Sequence, residues 1–538
     1  MASGGGSMLH NGLAPYDGPW GGAQLKHLLR RTLFGFTQAD YRFFENLPLD
    51  KCLDTLLTPS PDYTPPVNTY SNSDLVDPDA AWGETWVHSR FTDMGVLSKK
   101  EAEINQKRRD SITAWWVGRL LQHDRSLTEK MTLFWHNQVS AEFFFIFDAC
   151  KSYKYAAPLR LHALGNFKKM LFDVVTSPGM LRYLSNDQST AEDPNENLGR
   201  ELQELFTVGR DAGTGYSQAD VMAASRVLTG WATDHHGDTK FHAVIHDTAD
   251  KVFSDFYGGK VIKGRSGEAG SEELSELLDM ILSVRDTALH LSRRLYRWFV
   301  YYEISPEAEA NVIAPLADTL VANDFDIVPA LRLLLGSKHF YAEENIGCQI
   351  KNPIDHLIGL SRSFGLNDFS GDIGKQYSAW GSLAARLDDM SMCPGAPPNV
   401  AGWPAYYLSA GYQLWINSNT LTARMETIDA LLSPSGIICS GMDTGIRLAV
   451  LGFTAALSDP SDPDTLVRDS TAFLTPVPFS ADIIDKMTSL LSEGGTDWQQ
   501  VWSEYAADPQ DTAKSKLATD RLRNYYKYLL QRDECLMA

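Results

Sequence analysis

The sequence predicts an all-α protein, a large multi-helical bundle with one small β-hairpin insertion near residues 240–257. Three observations predict it. Apolar residues recur at spacings of three and four through long stretches, the period of a helix that buries one face. Several of these stretches open on capping sequences, such as Ser126-Leu127-Thr128-Glu129 and Asp193-Pro194-Asn195-Glu196. In such sequences a side-chain oxygen and a carboxylate three residues on satisfy the orphan amides of a helix start. A strand-like pattern breaks through only around Phe241, Val244, Ile245, Val252, Phe253 and Phe256, interrupted at Asp247 to Asp250.

In chain order, segments 22–34 and 38–57 read as short helices, and the Pro/Ser/Asp-rich stretch 58–80, which has no periodicity, reads as a long surface loop. Helical patterns resume over 98–122, 126–147, 158–184, 194–209 and 217–231, the expected central bundle. After the hairpin, helices are expected at 271–283, 285–302, 306–322, 326–336 and 353–364, the last opened by Asn352-Pro353, where proline suits the first helical position. Residues 393–417, rich in Gly, Pro, Trp and Tyr, read as an ordered aromatic loop before a helix at 418–432 that ends on Ser433-Pro434-Ser435-Gly436. Residues 1–8, which begin Met1-Ala-Ser-Gly-Gly-Gly-Ser7, read as an expression scar outside the fold. The expected organisation is then a helical core domain at 9–432 and a C-terminal helical segment at 433–538.

Composition narrows the function classes. With 538 residues, 43% hydrophobic and 22% charged, the chain is neither disordered, collagen-like nor a small disulfide scaffold. Lys+Arg 48 against Asp+Glu 68 gives a net charge of −20, a field that repels nucleic acid and anionic lipid, so no nucleic-acid partner is expected. The six cysteines are scattered without a CxxC spacing, which argues against structural zinc and a dense disulfide framework but leaves one long-range disulfide open. The longest greasy run, Phe143 to Phe147, is far short of the roughly 20 residues needed to cross a bilayer, so no membrane span is expected. Walker, Rossmann and nucleophile-elbow motifs are absent from the sequence.

Three constellations could carry chemistry. In Pro194 to Gly209, Asp193 is the expected N-cap and Leu198, Leu202, Leu205 and Phe206 form the buried stripe, with Arg200 opposite it. Glu201 lies on the flank of that stripe, one turn after Asn197, where partial desolvation would suit a general acid or a metal ligand, or where a neighbouring cation would simply pair with it. In Leu133-Phe134-Trp135-His136-Asn137-Gln138, His136 reads either as a satisfied core histidine or as a proton carrier. The third is His246-Asp247, a turn histidine with an orienting carboxylate or a plain Asx turn, close to Asp234-His235-His236. On a strand His242 and His246 would share a face but stand about 13 Å apart, too far to ligate one ion.

Together these stretches resemble the bacterial family catalogued as domain of unknown function 1800. The resemblance rests on Leu28-Leu29-Arg30-Arg31-Thr32-Leu33-Phe34-Gly35, Leu133 to Asn137, Pro194 to Gly209, Tyr216 to Val221, Leu228-Thr229-Gly230-Trp231, His246-Asp247 with Lys251, and Pro397-Pro398-Asn399-Val400-Ala401-Gly402-Trp403-Pro404. It covers residues from about 22 to 430. The family pattern places a second histidine where this chain has Gln138. The resemblance implies an exported protein that accompanies sulfatase-like or phosphatase-like hydrolases, and so an extracytoplasmic role on polysaccharide; it implies no reaction.

Three functions follow as expectations. The first is an acid–base enzyme on a polar, carbohydrate-like substrate, with Glu201 as general acid or base, Arg200 as a clamp, Asn197 beside them, and His136 or His246 with Asp247 as the second proton carrier. The second makes His136, Glu201, His246 and Asp247 the ligands of a divalent metal ion. The third is a non-catalytic partner of an exported hydrolase, with Trp403, Tyr406, Tyr407, Tyr412 and Trp415 as a sugar-stacking or partner surface. Both enzyme readings require His136, Glu201 and His246 to converge at a solvent-reachable pocket.

Overall fold

The computed structural model describes residues 12–61, 64–89, 97–209, 215–234, 237–367, 369, 371–493 and 495–538. Residues 1–8 and the pair His235-His236 lie outside the described residues. The fold is all-α. Helix α1 (Gly22–Thr32) buries Leu25, Leu28 and Leu29. The stretch expected as one helix at 38–57 is two, α2 (Gln38–Phe44) and α3 (Leu49–Leu56), because Pro48 has no amide to continue the ladder and serves instead as the N-cap of α3. Helix α4 (Lys99–Gln122) starts at a Ser98/Glu101 capping box. Every residue of α5 (Thr128–Gln138) is buried, which makes it the central rod of the bundle.

The helix expected over 126–147 ends at Gln138, and the four-residue α6 (Phe143–Ile146) follows after an extended break. Its predicted capping box does not form. Ser126 Oγ donates to Thr58 O at 2.6 Å and the Glu129 carboxylate accepts from Arg160 Nε at 2.7 Å, so both caps are spent on tertiary partners. The stretch 158–184 is three helices, α7 (Ala149–Leu161), α8 (Phe167–Val175) and α9 (Pro178–Tyr183). The last two are restarted by caps in which Asn166 accepts from the Lys169 amide and Ser177 from the Met180 amide. Helix α10 (Glu196–Glu201) runs on as a π turn over Leu202–Thr207 and stops at Gly209, whose φ is +85°. Helix α11 (Gln218–Leu228) follows.

The expected hairpin at 240–257 is two separate ribbons. Strand β1 (Trp231–Thr233) pairs antiparallel with β2 (Thr239–Phe241), and β3 (Lys251–Val252) with β4 (Val261–Ile262). Between them Ala243–Ile245 coils into a 3₁₀ turn, so His242 and His246 share no strand face.

The second half continues with α12 (Glu273–Ser283), α13 (Arg285–Phe299), α14 (Pro306–Ala308), α15 (Ala314–Ala322), α16 (Ile327–Leu335) and α17 (Pro353–Phe364). Asn352 Oδ1 caps α17 by accepting the Asp355 amide at 2.8 Å. Helix α18 (Ile373–Asp389) has no counterpart in the sequence reading. It lies so close to α4 that a Cβ on Gly118 would come within 2.6 Å of the Trp380 ring. Helices α19 (Ser418–Leu432), α20 (Val450–Ala455), α21 (Pro463–Leu474), α22 (Ala481–Leu491), α23 (Trp498–Ala507) and α24 (Thr512–Leu530) complete the chain. Segment 433–538 is joined to the preceding helices by apolar packing: Phe453 of α20 meets Phe364 of α17 at 4.4 Å and Tyr526 of α24 at 5.7 Å between ring centroids. All six cysteines are free thiols, and among the described residues no helix is long and apolar enough to cross a membrane.

Candidate functional site

Helix α5 carries three polar side chains that fasten a distant loop. The His136 ring accepts the Gly395 amide at Nε2, 3.1 Å away, and so carries its proton on Nδ1, which donates to Tyr155 Oη at 2.9 Å. Tyr155 Oη in turn donates to Val139 O at 2.7 Å and accepts the Ala141 amide at 3.0 Å. Asn137 Oδ1 accepts the Trp403 amide at 2.8 Å. Gly402 sits at φ +84°, and a Cβ there would meet Asn137 O at 2.3 Å, so only glycine lets the loop lie flat on the helix. Gln138 Nε2 donates to Leu205 O at 3.1 Å and Phe206 O at 3.2 Å, two carbonyls of the π turn. Its Oε1 accepts from Arg294, which also reaches Tyr406 O.

This clamp builds one wall of a cleft of about 540 Å³, where Pro398, Asn399 and Val400 face Glu142, Phe145 and the segment Arg182–Ser185. Glu142 occupies the N-cap position of α6, yet its side chain makes no cap bond. Burial raises its carboxyl above the usual carboxylate range. Opposite it, Tyr183 ends α9, and its phenol is pushed up to about 12, first by burial and then by the Glu142 and Glu201 carboxylates. Glu201 is half-buried at the last α residue before the π turn. Ser185, on the rim, holds a left-handed φ of +57°, a strain that persists only where the surroundings impose it. The Glu142 carboxylate and the Tyr183 phenol thus share a solvent-reachable cleft, and the Glu201 carboxylate stands near enough to the phenol to push it up.

A family model described as protein of unknown function, DUF1800, matches residues 27–527, nearly the whole chain. The chain belongs to the DUF1800 family. No curated protein and no solved structure matches it. In this DUF1800 protein the matched region extends past the last motif at Pro404 and includes residues on both sides of 433.

The motif residues of this DUF1800 chain divide between cleft and scaffold. Glu201 does not line the cleft, but its carboxylate bears electrostatically on the cleft's Tyr183. Arg200, opposite the stripe as expected, pairs with Glu196 at 2.8 Å and donates to Gln218 at 3.1 Å. Asn197 is exposed; the N-cap of α10 is Asn195 rather than Asp193, its Oδ1 accepting the Asn197 amide at 2.9 Å. His136 is fully buried between Trp116, Phe143, Tyr155 and Trp403, and burial alone drops its pKa to about 3. The ring therefore stays neutral at physiological pH. Its share of the stability is whole above about pH 6.5, where the unfolded-state imidazole is neutral too, and is withdrawn as the pH falls toward 3. We expect His136→Gln to flatten the acid limb of a stability–pH profile over that window, measured by denaturant unfolding.

His246 and Asp247 brace the ribbons. His246 Nδ1 donates to Thr229 O at 2.8 Å and its Nε2 lies 3.2 Å from Glu273 Oε1. Asp247 takes a bidentate grip from Arg226, at 2.6 and 3.1 Å, which against the opposing effect of burial holds its carboxyl below the usual range. His136, Glu201, His246 and Asp247 do not assemble as ligands, and among the described residues no three His, Cys, Asp or Glu side chains are grouped to hold a metal ion. His136 and His246 are buried and neither lines the cleft, which is not the solvent-reachable convergence with Glu201 that both enzyme readings required. The aromatic loop is mostly core: Trp403, Tyr406 and Trp415 are buried and Tyr407 and Tyr412 half-buried.

Sequence reasoning passed over Glu142 and Tyr183. The available signal for Glu142 was a lone carboxylate immediately before Phe143-Phe144-Phe145, a polar residue at the edge of an apolar run with no basic residue one helical turn away.

Proposed function

We propose that this protein is an acid–base enzyme acting on a polar, saccharide-like substrate in the cleft lined by Glu142 and Tyr183. The observation that carries the reading is Glu142: a half-buried carboxylate at a cleft, with its pKa raised by burial and no hydrogen bond or ion pair to its side chain among the described residues. A group that holds its proton above the usual carboxylate range can deliver it as a general acid. Glu201, whose carboxylate bears on the same phenol, is the complementary base. Tyr183, protonated throughout the working range, is a donor that positions substrate or one of the carboxylates. Phe145 lines the same cleft and is 62% exposed, a flat apolar face of the kind on which a sugar ring rests.

The test is a carboxyl-carbon NMR titration of the intact protein with and without a panel of neutral and anionic oligosaccharides. A Glu142 signal that titrates above the ordinary glutamate value and shifts with a sugar supports the reading. Ordinary titration together with no response to any saccharide overturns it. One observation favours a second reading, a non-catalytic partner of an exported hydrolase: Phe144 and Phe145, exposed by 67% and 62%, form an apolar rim that a protein surface would also cover.

A further inference from the structure

A second cavity, of about 470 Å³, lies between α4, the first half of α18 and the segment 69–82. It shares no lining residue with the cleft. On α4, Lys107, Asp110, Ser111 and Ala114 recur at helical spacing and line it. Arg109, on the opposite face of that helix, stacks on Phe144 and Phe147 at 5.8 and 5.1 Å, beside the rim of the cleft. Helix α4 thus has the cavity on one face and the cleft rim on the other.

The cavity presents an aromatic ring and unspent polar groups together. Trp82 lines it and is 53% exposed, although tryptophan is highly buried on average. The ring edge seats on α18 because residue 374 is glycine: a Cβ there would come within 2.9 Å of the indole Cζ2 and 3.2 Å of Cη2. Tyr377 Oη accepts the Val67 amide at 3.1 Å, and its own proton has no acceptor among the described residues. Burial pushes that phenol up to about 12, so the proton is present at physiological pH. Lys107 Nζ meets no carboxylate or carbonyl among the described residues. Asp110 spends Oδ1 on Gln106 Nε2 at 2.8 Å and keeps Oδ2 open. The charged residues of the lining are Lys107, Lys375, Asp110 and Asp372, whose formal charges cancel, so the site suits an uncharged ligand better than an ion. Its volume is within the range of small-molecule sites, about 300–1,000 Å³. An aromatic platform ringed by both donors and acceptors, without net charge, is the chemistry that recognises a sugar: the apolar face of the ring rests on the indole and the hydroxyls find partners at its edge.

We propose that this cavity is a second, non-catalytic saccharide-binding site, taking a neutral glycan that stacks on Trp82 and bonds through its hydroxyls to Lys107, Asp110 and Tyr377 Oη. The binding stands on these residues alone. Its purpose, to hold beside the cleft a chain on which the cleft acts, rests on the saccharide reading of the preceding section.

The experiment titrates the intact, nitrogen-labelled protein with cellohexaose, maltohexaose and N-acetylchitohexaose and follows the indole N–H signals, Trp82→Phe assigning the one that belongs to Trp82. A saturable shift of that signal with at least one of the three sugars is expected, and Trp82→Ala should weaken the affinity for that sugar, measured by calorimetry, by about tenfold. The side chain is half exposed, so its removal leaves the core intact. A Trp82 signal that moves while the Glu142 carboxyl stays silent supports this site and counts against the cleft reading. A Trp82 signal unmoved by all three sugars, or a Trp82→Ala protein that binds as tightly as its parent, overturns the proposal.

Discussion

Glu142→Gln is expected to lower turnover by about 10²–10⁴-fold, the contribution of a positioned general acid, while leaving the melting temperature unchanged or raising it. The amide keeps the shape of the side chain and cannot transfer the proton. Stability moves the other way because the carboxylate is desolvated with no bonded counter-charge in the fold, so neutralising it removes an unfavourable burial. A glutamate that served only the architecture would show the reverse pattern, little change in rate and a loss of stability. Steady-state kinetics on a saccharide that responds in the NMR panel, with calorimetry on the same preparations, separates the two. Glu201→Gln should also reduce the rate, whereas Arg200→Met, at a surface pair with Glu196, should leave it within about threefold.

Glu273→Gln is expected to cost about 3–5 kcal/mol, the largest stability effect of any single substitution considered for this chain. Glu273 and Lys251 are both fully buried, with Nζ 2.6 Å from Oε2, while Oε1 accepts the Arg265 amide at 2.7 Å and faces His246. Burial on its own would raise the Glu273 carboxyl, but the bonds from His246, Lys251 and the Arg265 amide outweigh it and hold the carboxyl below the usual range. Its contribution is therefore present above the unfolded-state value near 4.3 and is lost as the pH falls through the lower folded-state value. Removing the carboxylate strands the Lys251 ammonium in the interior. The double variant Glu273→Gln with Lys251→Met should recover part of the loss, since replacing a buried pair is milder than breaking one. Chemical denaturation of the four proteins of the cycle measures this, and a single-variant loss below about 1 kcal/mol would contradict the assignment.

The helical class was legible because it follows from apolar spacing, which the chain repeats from Leu25 to Leu530. The breaks were less so. Pro48 and the caps Asn166 and Ser177 interrupt stretches whose periodicity alone looks continuous, because a cap can restart a helix in register with the same buried face. Helix α18 escaped notice since its apolar pattern is diluted by Gly374, which packs against the Trp82 ring, and by Gly381, which faces Ala114 of α4. The half-buried position of Glu201 was legible from its place beside the buried stripe. For His136 two readings stayed open, a satisfied core histidine and a proton carrier, because a polar ring on an apolar face is equally what a clamp needs, and the Gly395 amide that satisfies it lies far away in sequence. No local pattern shows that Glu142 and Tyr183 face each other, as they come from different helices.

The hydrogen bonds from α5 to the loop span 259 residues at His136 and 266 at Asn137. Closing a loop of that length is entropically slow and is rewarded only when both ends are already structured. The wall carrying Pro398 to Val400 is thus among the last pieces to seat during maturation, after α5 has waited for nearly half the chain to be made. A ribosome-bound or truncated chain that stops before Gly395 would keep Glu142 and Tyr183 but lack the wall opposite them, so any activity should switch on late in biogenesis and all at once.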